Sequence, residues 1–236
     1  MIIAAVSDVH SPIYYEDFVK ALDEINVKPD LFLIAGDMVE RRMPEEYSKI
    51  SNALFGKITC PIIAVFGNTE FEEYKDQIKS LAKNIIFLDD QSYYLNIRGI
   101  SVGIFGSTGA LDEPTKWQKA HIPNIERLYQ ARYERAFKSL EMMKTQIKIL
   151  LTHYAPTYET LKGENPRVYP NLGSRYWENI FIKLKITLAI HGHAHNGSPK
   201  AWVNTTPIFN VAFPVNKKIV IIDTEKDLLP GLKKFV

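Results

Sequence analysis

The 236-residue chain carries 29 Lys and Arg against 27 Asp and Glu, a formal net charge of +2, with 46% apolar and 24% charged residues. Those proportions are ordinary for a globular protein and exclude a disordered, collagen-like or coiled-coil chain. A charge this small gives no electrostatic ground for nucleic-acid or membrane-surface binding, and a chain this long buries roughly 70% of its unfolded surface, enough for one sizeable core.

Short Ile- and Val-rich runs without polar alternation fall at residues 2–6, 31–35, 62–66, 102–105, 147–151, 186–190 and 219–222. They predict strands buried on both faces. After the first run, Phe18, Leu22 and Ile25 stand at helical spacing. Residues 93–97, an Arg98-Gly99 turn and residues 100–105 predict a hairpin. Residues 107–124, with Gly109, Pro114 and Pro123, read as a loop. Tyr129, Tyr133, Ala136, Phe137, Leu140 and Met143 mark a long helix. Residues 154–174, with Pro156, Gly163, Pro166, Pro170 and Gly173, read as a second loop, and loops of that length inside a compact domain are usually functional or mobile. Beyond residue 196 only strands are expected, at 201–204, 207–211 and 217–223. Strands alternating with helices predict an α/β fold of two sheets with helices outside both. No linker marks a boundary, so one domain over residues 1–236 is expected.

Cys60 is the only cysteine, so no intramolecular disulfide forms, and a small buried hydrophobe in a reducing compartment is expected. The opening Met1-Ile2-Ile3-Ala4-Ala5-Val6 lacks a basic leader, and no apolar run approaches ~18 residues. A cytoplasmic location without membrane contact is the expectation.

The chemistry lies just past the buried runs. They lead into Asp8-Val9-His10, Gly36-Asp37, Gly67-Asn68, Thr152-His153 and His191-Gly192-His193-Ala194-His195. Five of the six histidines sit at these ends, all but His121. Asp, Asn and His bind metal through oxygen or nitrogen, and in open α/β sheets the strand C-termini form the ligand-binding edge. One Asp after a strand is ordinarily a turn or cap residue, and Asp223 is read that way. Five coincidences of type and position point instead to a shared site.

In order and spacing, from residue 8 to residue 195, the series resembles the calcineurin-like metallophosphoesterase superfamily. The resemblance implies a four-layer α/β/β/α sandwich of two mixed sheets with flanking helices. It also implies a binuclear centre, with one divalent ion held by Asp8, His10, Asp37 and His195 and the other by Asp37, Asn68, His153 and His193. Asp37 would bridge the two. His191 matches no ligand of the family and is read as supporting or structural. Two ions ~3.5–4 Å apart would hold the attacking and leaving oxygens of a phosphoryl transfer and stabilise a bridging hydroxide. Asp37, Asn68 and His193 are the residues expected to carry catalysis. Nitrogen and oxygen donors without thiolate suit Mn, Fe, Zn, Co or Ni.

The chain departs from that pattern at Gly67-Asn68-Thr69-Glu70, where many members carry a His after the Asn as general acid. Thr69 supplies no acid at neutral pH, and a positioned acid is worth ~10²–10⁴ in rate. This tilts the expectation slightly from phosphomonoesters toward phosphodiesters. Glu70, read first as a helix cap, His191 and His121 are the alternative proton sources. Arg167 and Arg175, in and just after the loop behind His153, are candidates for the substrate phosphate through their bidentate forks. Lys217-Lys218 and Lys233-Lys234 are read as solvated ends of elements. The expected partner is a phosphorylated small molecule or a phosphodiester. A nuclease falls within the same reading, but no basic groove or aromatic run indicates nucleic acid. The rival expectation is a metal-binding scaffold or sensor of this fold without catalysis.

Overall fold

The computed structural model describes residues 1–228; Lys233 and Lys234 lie outside them. The first sheet contains β1 (Ile2–Val6), β2 (Leu31–Ile34), β3 (Ile62–Val65) and β4 (Ile86–Leu88), all parallel to their neighbours. Helices α1 (Tyr15–Asp23), α2 (Tyr47–Leu54) and α3 (Lys75–Leu81) connect them. The second sheet begins with the expected hairpin of β5 (Gln91–Ile97) and β6 (Ile100–Ser107), turning through Arg98 and Gly99 at positive φ. Helices α4 (Lys116–His121) and α5 (Ile125–Met142) precede β7 (Ile147–Thr152). Then follow α6 (Glu178–Lys183), β8 (Leu188–His191), β9 (Lys200–Val203) and β10 (Thr206–Asn210). A single turn, α7 (Phe213–Asn216), returns the chain to the first sheet, where β11 (Val220–Asp223) pairs antiparallel with β1. The strand orders are β11-β1-β2-β3-β4 and β5-β6-β7-β8-β10-β9.

Alternation along the strands assigns the layers, because successive side chains point to opposite faces. Ala4, Val6, Phe32, Ile34, Ile62 and Ala64 pack with Phe18, Leu22, Ile50, Leu54 and Ile78 of the first three helices. Their neighbours Ile3, Ala5, Leu31, Leu33, Ile63 and Val65 meet Val102, Ile104, Ile149, Leu151 and Ile190 of the second sheet. The second sheet's outer face, with Phe105, Leu150, Ala189 and Ile208, packs on Tyr129, Tyr133, Leu140, Trp177 and Phe181. Both faces of the central strands are buried, which is why those runs carry no polar alternation, and four layers α/β/β/α result. Trp177 is 1% exposed in the last of these layers. Trp177→Ala is expected to cost about 3–5 kcal/mol, read as a fall in the denaturant midpoint at constant m-value.

Several expectations are corrected. The 107–124 segment contains α4, and β4 was not anticipated. The region after residue 196 is not all strand: α7 intervenes, and Lys217, at φ 53°, ends that helix, so β11 starts at Val220 rather than 217. Within 154–174 the residues Glu159–Leu161 and Pro166–Asn171 form 3₁₀ turns. Cys60 is half-buried against the first core layer, and burial pushes its thiol up to about 11. Among the described residues no helix is long and apolar enough to cross a membrane.

Candidate metal centre

Strand register brings the chemistry together. Val6 pairs with Ile34 and Ile34 with Ala64 in the first sheet, so the loops carrying Asp8, Asp37 and Asn68 leave one edge side by side. Leu151 pairs with Ile190 in the second, which sets His153 beside the loop of His193 and His195. The two sheet edges face each other. All seven side chains expected from the sequence converge there. Asp8 Oδ1 lies 3.0 Å from His195 Nε2 and 3.8 Å from His10 Nε2. Asp37 Oδ2 lies 3.4 Å from His153 Nε2 and 3.9 Å from His10 Nε2. Asn68 Oδ1 is 3.0 Å from His153 Nε2, and the His193 ring centroid is 4.9 Å from that of His153.

The backbone is bent to achieve this. Asp8, His10, Asp37 and His193 are four of the ten non-glycine residues at positive φ among the described residues, and each such conformation costs of order 1–3 kcal/mol unless the surroundings hold it. They are held: Asp8 N–H donates to Gly36 O at 3.0 Å and His10 N–H to Asp37 O at 3.1 Å. Gly192 lets the β8 loop close on the site, since a Cβ there would collide with Asp8 Oδ2 and Ser7 Oγ.

Backbone and hydroxyl donors hold one oxygen of each carboxylate. Asp8 Oδ2 accepts from the Ser7 hydroxyl at 2.6 Å and from His193 N–H at 2.9 Å. Asp37 Oδ1 accepts from Thr69 N–H at 2.8 Å. His153 Nδ1 donates to Ala35 O at 2.9 Å. A backbone carbonyl accepting from one ring nitrogen sets the tautomer that leaves the other free to ligate.

Charge follows the same plan. Burial opposes ionisation of Asp37, yet the positive His153 beside it holds the carboxyl well below the usual range. Asp8 is also buried, and its bond to His195 with the charge of His153 keeps it low. His153, although buried, is raised to about 9 by Asp37, and burial pushes His193 down to about 3. The site therefore presents two anionic carboxylates, a positive His153 whose Nε2 proton a bound metal would replace, and a neutral His193.

These residues fit a pair of cations. Asp8, His10 and His195 can bring one ligand atom each within 4.8 Å of the others, and so can Asp37, His153 and His193. Both ring nitrogens of His10 are buried without a hydrogen-bond partner; Nδ1 lies 3.4 Å from Glu40 Oε2, and Nε2 faces Asp8 and Asp37 at 3.8 and 3.9 Å. An orphaned imidazole facing two carboxylates is the environment that a metal completes.

The remaining sequence candidates stand elsewhere. Glu70 accepts Gly67 N–H at 2.8 Å and Met38 N–H at 2.9 Å, one on each oxygen. It staples the Asp37 and Asn68 loops together rather than capping a helix. His191 is buried, held down to about 4 by that burial, and bonds Gly192 O and Thr160 Oγ1. His121 stacks on Trp117 at the end of α4. The 154–174 loop is tied to the site through Glu164, which accepts Asn196 N–H at 2.7 Å. It presents Asn171 and Leu172 to the cavity beside the donors, and neither Arg167 nor Arg175. Arg175 lies over the Tyr158 ring instead, at 5.6 Å. Sequence reading passed over Arg41 and Arg42, which line that cavity. Their position four and five residues after Asp37, on the same strand-end loop, was the available signal.

Comparison with known proteins agrees with the architecture. The chain is 23% identical over 194 residues to the uncharacterised protein YpbG of Bacillus subtilis (strain 168), 81% of this chain but 60% of YpbG, so it spans about three fifths of that relative. The phosphopantetheinyl hydrolase of Mycobacterium tuberculosis superposes with a TM-score of 0.71 at 16% identity, over 97% of this chain and 98% of that one. A putative 5′-nucleotidase from Staphylococcus aureus gives 0.62 at 17%, over 89% and 48%. The protein TT1561 of Thermus thermophilus gives 0.62 at 14%, over 94% and 98%. At these identities the likeness is one of fold. A family model for the calcineurin-like phosphoesterases matches residues 1–197, the stretch holding all seven converging side chains, and the chain belongs to that family.

Proposed function

We propose that this protein is a cytoplasmic, metal-dependent hydrolase of phosphate esters that uses two divalent transition-metal ions, with phosphodiesters slightly favoured over monoesters. The convergence of seven nitrogen and oxygen donors from five strand ends carries the reading. In it, Asp8, His10, Asp37 and His195 hold one ion and Asp37, Asn68, His153 and His193 the other. Such ions supply Lewis-acid charge to the phosphoryl oxygens and a water acidic enough to attack as hydroxide. Two carboxylates against two divalent cations leave the site net positive, which suits an anionic ester. Mn, Fe, Zn, Co and Ni all suit the donors.

The chain's own work is positioning. Thr69 N–H, His193 N–H and the Ser7 hydroxyl hold one oxygen of each carboxylate, so that the others, Asp37 Oδ2 and Asp8 Oδ1, face the histidines. Asn68 orients the phosphate as well as binding an ion, and His193 borders the cavity beside the donors. Protonation of that group is the weak point. The Thr69 hydroxyl donates to Val39 O at 2.8 Å and is 4% exposed with its residue. Glu70 and His191 are spent on structural bonds, so leaving groups of low pKa are favoured.

Chelation is expected to lower turnover of bis(4-nitrophenyl) phosphate at least about 100-fold, with recovery at roughly two equivalents of added metal. Rates across a series of aryl esters should fall steeply with leaving-group pKa. Two bound ions with no turnover of any monoester or diester would instead identify a metal-binding scaffold.

A further inference from the structure

A cavity of about 670 Å³ opens from Asn68 and His193. That volume suits a whole small organic molecule, beyond what one phosphate needs. Its walls include Phe71, Leu111, Trp117, Tyr154 and Leu172. Trp117 is 49% exposed, a large aromatic surface that core packing does not account for.

The groove is built onto the donors. Phe71 lies three residues after Asn68, and its ring stacks on Trp117 with centroids 5.5 Å apart and planes 16° apart. Trp117 in turn stacks on His121, 4.5 Å away at 12°. This column ties α4 across the cavity to the Asn68 loop. At its other end α4 starts with a capping box between Thr115 and Gln118, and Gln118 Nε2 donates to the Tyr154 hydroxyl at 2.8 Å. Tyr154 follows His153 directly. Both walls are therefore anchored one to three residues from a donor, and whatever is esterified to a phosphate on those donors extends between them.

We propose that this groove binds an organic group esterified to the substrate phosphate and that this group is a flat aromatic one, of a nucleoside's chemistry; the proposal rests on the phosphoesterase reading of the adjoining site. A small polyol would leave the apolar walls facing water. A planar ring contacts Leu111, Leu172 and the Trp117 indole, gaining the area and quadrupole contacts that aromatic groups offer. Arg41 and Arg42 line the same cavity, and guanidinium planes stack on such rings and bond their heteroatoms. Asn171 spends its amide N–H on Glu113 O, which leaves its side-chain oxygen as an acceptor for an exocyclic amine.

The test titrates metal-loaded protein with AMP and with glycerol 3-phosphate, by calorimetry and by protein fluorescence, alongside turnover of both. AMP is expected to bind at least about ten-fold tighter. Trp117→Ala should lower the AMP-to-glycerol-phosphate affinity ratio about ten-fold, and Trp117→Phe should restore most of it. Phe55→Ala, at a 77% exposed position outside the groove, should leave the ratio unchanged. A ratio near one in the unmodified protein overturns the proposal. So does a ratio that survives Trp117→Ala, or equal loss for both ligands, which would mean the indole only props α4. Failure to turn over either ester with the binding ratio intact would count against phosphoester hydrolysis and leave the groove's ligand class standing.

Discussion

Asp37→Asn is expected to reduce phosphodiester turnover by about 10³-fold and to release metal, with the metal-free protein still folded. The substitution keeps the shape and removes the charge. Asp37 Oδ2 stands between the two trios, 3.4 Å from His153 Nε2 of its own and 3.9 Å from His10 Nε2 of the other. In the proposed two-ion reading an amide there neutralises neither cation, and several kcal/mol of transition-state charge stabilisation are lost with them. Metal content by elemental analysis, turnover under excess metal and far-UV circular dichroism make the measurement. Turnover within about ten-fold of the parent at full metal occupancy would show that Asp37 serves neither ion.

Gly67→Ala is expected to damage the same centre from the backbone side. Gly67 needs no unusual torsion. What it needs is space: a Cβ would overlap Asp37 Oδ1 and stand 2.5 Å from Asp37 N. The β2 and β3 loops would have to part, but Glu70 staples them by bonding Gly67 N–H and Met38 N–H. The strain is expected to cost about 1–3 kcal/mol of stability. Displacing Asp37 by even about 1 Å should lower kcat at least about 10²-fold. Thermal unfolding and steady-state kinetics check the two halves separately. A stable variant with unchanged kcat would show that the loops tolerate separation and that Asp37 is not tightly placed.

The legible part of the fold is the part written in local pattern. Runs such as Ile2–Val6 and Leu31–Ile34 are apolar on both faces because both faces are covered. Asp8, Asp37, Asn68, His153, His193 and His195 stand out because each follows such a run. β4 was hidden, since three residues make a strand only when β3 offers an edge to pair with. α4 was hidden for a similar reason. Helices of six residues are marginal alone, and this one exists through its capping box and the Trp117 stack. The role of Glu70 depends on two amide groups from different loops, one of them 32 residues earlier in the chain.

Composition and periodicity by themselves determined the α/β class, the strand ends and the donor types, because burial on both faces and metal affinity are properties of single residues and short runs. Only the tertiary structure decided that Glu70 joins two loops, that Arg41 and Arg42 line the cavity where Arg167 and Arg175 do not, and that an aromatic groove adjoins the donors. Those features join residues as distant as Phe71, Trp117 and Leu172, and no local rule of sequence couples side chains that meet only after both sheets have packed.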